Sequence, residues 1–118
     1  MKVLAIVKAT KESEAGQICH PERISEMQSF NQELVNAGVF LAVEGLQPSS
    51  QGVRLRFSGR NRSVIDGPFA ETKELAGGFW LLQVNSMQEA VEWLKRAPFE
   101  DNEVEIRQVV ELPHRPSV

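Results

Sequence analysis

Residues 78–95 read GFWLLQVNSMQEAVEWLK. From Gly78 to Asn85 the aromatic and aliphatic side chains fall at both parities, the pattern of a strand covered on both faces. The period then changes. Ser86 and Glu89 stand in S-x-x-E capping-box spacing, and Met87, Ala90, Val91 and Leu94 form a one-sided helical stripe. Lys95 and Arg96 suit the negative end of that helix, and Pro98 limits its extension. A two-sided strand that feeds a one-sided helix calls for a sheet with helices on one face and a separate cover on the other.

The rest of the chain supplies matching parts. Lys2 to Lys8 (KVLAIVK) is again apolar at both parities and reads as a buried strand. The following ATKESEAGQIC reads as a polar loop. A helix starts at Pro21, with Glu22 near its positive end, and Ile24, Met27, Phe30, Leu34 and Val35 recur along it until Gly38 stops it. Val39 to Glu44 is a second strand, and GLQPSSQG (45–52) a turn-rich loop. Val53 to Phe57 alternates, turns through SGRN, and returns over Arg62 to Asp66 as a hairpin. Glu103 to Val110 is the last strand. Without the hairpin the order is βαββαβ, so the fold class expected is α+β, a ferredoxin-like arrangement with an inserted β-hairpin. Two helices cover one sheet face only. A second copy of the chain is the economical cover for the other, which predicts a homodimer.

Composition sets outer bounds. The chain has 118 residues, 42% hydrophobic and 25% charged, which fits one globular domain over 1–118 with a frayed tail at 112–118. A net charge of −3 argues against a nucleic-acid partner bound through its phosphates. The apolar run in MKVLAIVKA is too short for a signal peptide or a membrane span, so the expected location is cytoplasmic and no membrane partner is expected. A single cysteine, Cys19, and two histidines, His20 and His114, give no metal-ligand spacing; neither a metal nor a cofactor is expected.

Several residues invite chemistry. Asp66, where a strand meets a turn, either accepts turn N–H bonds or stands as a carboxylate at a cavity mouth. Glu71, Lys73 and Glu74 form either a solvated turn or an inward pair in which Lys73 tunes a carboxylate base. Glu44 ends an apolar strand on the face of Phe40 and Ala42, and a carboxylate there must be exposed, paired or functional. Arg54 and Arg56, on the next strand, are its expected partners. With Arg60 and Arg62 they also suit a small carboxylate or phosphate ligand. Phe79 and Trp80 must point to opposite faces, one into the core and one to the uncovered side, where an aromatic wall would suit a planar ligand. His20 precedes the first helix, whose N-terminus favours a neutral imidazole.

The stretch Asp66-Gly67-Pro68-Phe69, then Glu71, Lys73 and Glu74, then Gly78-Phe79-Trp80, resembles the signature of the YCII-related family in its DGPF-domain branch. Glu44-Gly45-Leu46, Pro48-Ser49, Arg56-Phe57-Ser58-Gly59 and Glu105-Ile106-Arg107 match in order. The resemblance implies a ferredoxin-like fold that dimerises through its sheets into an α/β barrel, in a cytoplasmic, mostly bacterial protein. Some relatives resemble cofactor-free enzymes acting on small, often aromatic, molecules, with a histidine and an aspartate as the proposed active pair. Neither His20 nor His114 matches that histidine. Three functions follow: a cofactor-independent enzyme using Asp66, Glu44, Glu71 or Glu74 as acid or base; a ligand-binding module using Lys73, Arg54, Arg56, Trp80 or His20; or an accessory dimer whose surface is its function.

Overall fold

Trp80 sits opposite Ala5, and this pairing organises the sheet. In the computed structural model, which describes residues 1–17, 21–71 and 74–113, strand β1 (Lys2–Lys8) lies antiparallel to β5 (Ala76–Gln83) on one side and to β6 (Val104–Gln108) on the other. Strand β2 (Phe40–Gly45) pairs with the free side of β5, giving the order β2-β5-β1-β6. That order, with helix α2 (Pro21–Asn36) between β1 and β2 and helix α3 (Met87–Leu94) between β5 and β6, fits the ferredoxin-like class. Among the described residues no helix is long and apolar enough to cross a membrane.

Alternation along β1 and β5 assigns the faces. Val3, Ala5, Gly78, Trp80 and Leu82 are buried beneath the helices, whereas Leu4, Ile6, Phe79 and Leu81 point the other way and are half-buried. Phe79 and Trp80 are thus split between the faces, as alternation predicts. The helices close the core with Phe30, Leu34, Ala90 and Leu94. Leu34 and Leu82 are wholly removed from water, each worth about 1.5–3 kcal/mol. Arg96 ties α3 to α2 through Glu33 at 2.7 Å.

The helix boundaries have local causes. Ser86 accepts a hydrogen bond from the Glu89 N–H at 3.1 Å, as its spacing predicts, while the Glu89 carboxylate accepts from Asn85 N–H rather than from Ser86. Gly38 takes φ +75° just past α2, a conformation that a side chain would strain.

Three local features depart from the sequence reading. The polar loop after β1 contains a short helix, α1 (Lys11–Glu14), capped reciprocally by Thr10 and Ser13. A bulge between Phe40 and Ala42 turns Phe40 to the core, so Ala42 and Glu44 share the open face without it. Among the described residues, strands β3 (Val53–Ser58) and β4 (Asn61–Asp66) pair only with each other, as a two-stranded ribbon outside the main sheet. Arg54 and Arg56 therefore do not face Glu44 across a strand pair, and the expected ion pairs are absent among the described residues.

Candidate functional site

A cavity of about 480 Å³ opens between the N-terminal half of α2 and the end of the sheet where β2 and β5 meet. Its position follows from the diglycine. Gly78 lies on the helix-covered face, between Gly45 of β2 and Val7 of β1, and contributes no side chain to fill the space beneath α2. Glycine is required there for a second reason. A Cβ on Gly78 would stand 2.8 Å from the Glu44 carbonyl oxygen and 3.3 Å from Gly45 Cα, both backbone atoms of the adjoining strand. The same absence of side chains that lets β2 and β5 approach leaves the floor of the cavity open.

The walls are apolar and aromatic. Trp80 and Phe99 meet edge-on at 5.9 Å, and Trp80 is fixed from behind by Phe30 at 5.7 Å. The Trp80 indole N–H donates to Asn31 Oδ1 at 2.8 Å, so its polar atom is satisfied away from the cavity. Ile24 and Met27 of α2 line the opposite side. Ile24 continues the apolar stripe of its helix yet is 41% exposed, because it borders this opening rather than the core.

Charge enters at the rim. The Arg23 guanidinium donates to the Pro98 carbonyl at 3.0 Å and pairs with Glu100 at 3.3 Å, spanning from α2 to the loop before β6. The Glu100 side chain is 85% exposed and that of Arg23 34%, so the ion pair itself adds only about 0–1 kcal/mol. Asp101 and Asn102 complete this edge, and Thr10 and Ser13 stand at the other. Lys8 and Glu44 also border the cavity. Lys8, however, pairs with Glu105 at 3.1 Å on the open sheet face, and alternation places the Glu44 side chain on that face beside Phe79.

The family model of the YCII-related domain matches residues 1–113. The chain belongs to the YCII-related family. It is also similar to an uncharacterized protein of Rhizobium meliloti (strain 1021), 36% identical over 70 residues that make up 59% of this chain. Those residues span 56% of the relative, so the match covers about half of its length.

Residues 66–80 of this YCII-related domain divide into two structural roles. GGFW shapes the cavity; DGPF clamps the base of the ribbon. A Cβ on Gly67 would overlap the Ser49 carbonyl oxygen, so the turn closes on Ser49 only with glycine there. The Ser49 hydroxyl accepts from Phe69 N–H at 3.1 Å and donates to the Glu14 carboxylate, which also accepts Ser49 N–H at 2.8 Å. The Ser49 hydroxyl and then its N–H hold the Glu14 carboxyl below the ordinary carboxylate value. Arg54 lies over the Phe69 ring at 3.7 Å, a cation–π contact of about 0.5–1 kcal/mol. Arg62 covers Phe57 in the same manner at 4.6 Å.

The sequence-derived candidates are therefore dispersed. Trp80 and Glu44 border the cavity; Asp66, Glu71, Glu74, Arg54 and Arg56 do not. The Asp66 carboxylate is exposed and has no hydrogen-bond partner among the described residues, so the turn is not held by it. Lys73 and His20, like Cys19 and His114, lie outside the described residues. Among the described residues no cluster of three His, Cys, Asp or Glu side chains could hold a metal ion. Sequence reasoning missed Arg23, the Glu100–Asp101 edge and the Glu14–Ser49 clamp. Only the clamp left a trace, in Thr10-x-x-Ser13, which is a capping pattern without the usual Glu or Gln at its third position.

Proposed function

We propose that this YCII-related domain, of the DGPF-domain branch by its Asp66-Gly67-Pro68-Phe69 signature, binds a small, flat and largely apolar molecule in the cavity under α2. The observation that carries this reading is the combination of a side-chain-free floor at Gly77 and Gly78 with walls from Trp80, Phe99 and Met27. A volume of about 480 Å³ falls in the range of small-molecule sites. Of the four carboxylates singled out from sequence, Glu44 alone borders the cavity, and alternation turns its side chain to the open sheet face, so the reading is one of binding rather than acid/base chemistry.

The test is titration calorimetry with 2-naphthalenemethanol on the parent and on Val43→Phe, which puts a ring at the cavity floor. Saturable binding by the parent and its loss in a variant that still melts cooperatively is the expected outcome. Equal binding by both places the ligand elsewhere.

The functional unit in this reading is a homodimer joined through its sheets into an α/β barrel. It is supported by Leu4, Ile6, Phe79 and Leu81, which form an apolar sheet face that neither long helix covers. The ribbon adds Val53, Leu55, Phe57 and Val64, each at least 59% exposed and on one side by register. Such a dimer should bury more than about 1,200 Å². Sedimentation of the parent as a folded monomer at micromolar concentration would sink this part of the reading, as would an unchanged mass for Ile6→Lys.

A further inference from the structure

We propose that the molecule held in the cavity is a small apolar carboxylic acid, and that its carboxylate takes the Arg23 guanidinium in place of Glu100. This rests on the reading of the cavity as a ligand site. The two partners of the Arg23–Glu100 pair are unequally held. Arg23 is fixed from the α2 side, and one guanidinium nitrogen is locked to the Pro98 carbonyl at 3.0 Å. Its side chain is only 34% exposed. Glu100 reaches it at 3.3 Å from an 85% exposed position, so it can return to water at little cost.

A guanidinium presents five N–H donors in a planar fork, which two single contacts do not exhaust. A ligand carboxylate arriving from the cavity would meet this fork side-on and form the two-point contact that Glu100 lacks. The exchange keeps Arg23 neutralised, because one carboxylate replaces another.

The remaining charges at the rim sharpen the class. Lys8 is engaged by Glu105 on the opposite sheet face, which leaves Arg23 as the cation available to a ligand among the described side chains. Asp101 is exposed at the outer edge, and together with a displaced Glu100 it disfavours a second negative charge on the ligand. A ligand cation would face Arg23 at close range and find Asp101 only in solvent. The flat apolar body then lies over Gly78 and against the wall that Trp80 and Phe99 form together.

The experiment compares three probes of one shape on the whole chain at neutral pH by calorimetry: 2-naphthoate, 2-naphthalenemethanol and 2-naphthylmethylammonium. The acid should bind at least about tenfold more tightly than the alcohol. Arg23→Gln should bring that ratio close to one. Glu100→Gln removes the internal competitor and should raise the ratio about two- to fivefold, the scale of an exposed ion pair. Because Glu100 is exposed, this variant carries the test even if Arg23→Gln does not fold. An alcohol bound as tightly as the acid, an amine bound best, or an acid-to-alcohol ratio unmoved by Glu100→Gln would overturn the carboxylate and leave the cavity as a ligand site. Failure of all three probes to bind would overturn the ligand site itself.

Discussion

Replacing Gly78 by alanine tests the geometry on which the cavity depends. The new Cβ would lie 2.8 Å from the Glu44 carbonyl oxygen and 3.3 Å from Gly45 Cα. Both contacts are backbone atoms of β2, paired to β5 at this position, so neither can rotate away. Relief requires β2 to move outward, and overpacking of this kind costs about 1–3 kcal/mol. Loss of glycine entropy in the unfolded chain returns about 0.4–1 kcal/mol. The net destabilisation is then between about zero and about 2.6 kcal/mol. With an unfolding entropy of roughly 0.25 kcal/mol/K for a chain of this length, Tm should fall by up to about 10 °C. Gly77→Ala is the control. Its Cβ would meet Ala9 Cα at 3.3 Å and Lys8 O at 3.5 Å, beside the bulge in β1, where a few tenths of an ångström suffice. That variant should stay within about 3 °C of the parent. The assay is thermal denaturation by circular dichroism at one fixed protein concentration, since association would make Tm concentration-dependent. Gly78→Ala melting above the parent, or Gly77→Ala harmed more than Gly78→Ala, would refute the reasoning.

Glu14 gives a pH signature. Its carboxyl lies below the unfolded value of 4.5, so its stabilisation is complete above that pH and is lost as pH falls through the lower folded value. Glu14→Gln should accordingly melt below the parent at neutral pH, and the gap should close on acidification below 4.5, read from Tm against pH. Asp66→Asn should change stability by no more than about 0.5 kcal/mol, because the exposed carboxylate holds no described partner. It should also leave naphthalenemethanol affinity unchanged; a tenfold loss, about 1.4 kcal/mol, would return Asp66 to the site.

What was legible in the sequence was what the chain encodes locally. Strands β1 and β5 declared themselves by apolar residues at both parities, and α3 by Ser86 and Glu89. The split of Phe79 from Trp80 followed from alternation alone. Misreadings came where one residue changed the outcome. The bulge beside Leu41 reversed Phe40 relative to Ala42 and Glu44, and no turn residue marks it. The hairpin was recognised, but its separation from β2 depends on Gly67 closing against Ser49, a contact eighteen residues apart in the chain. The Arg54–Glu44 pairing fell with it. Arg23 was invisible for a related reason. It stands in the first turn of an amphipathic helix, where an arginine is ordinary, and only the return of the chain at Pro98 to Glu100 gives it partners.

The distribution of roles along residues 66–80 bears on where function can reside. DGPF is bound tightly but points away from the cavity: Gly67 and Phe69 are held by Ser49, and Phe69 is capped by Arg54. Its constraint is mechanical, since it fixes where the ribbon leaves the body and hence how Val53, Leu55 and Phe57 are presented. GGFW is constrained by the cavity and by both sheet faces at once: Gly78 opens the floor, Trp80 builds the wall, and Phe79 joins the uncovered face. A ligand that moved β5 at Gly78 would therefore shift Phe79 on the opposite face, because the two are adjacent on one rigid strand. In a homodimer closed over that face, cavity occupancy and the fit between copies would be coupled through this strand. The coupling is reciprocal by linkage: a ligand that strengthens association must bind the dimer more tightly than the monomer by the same factor.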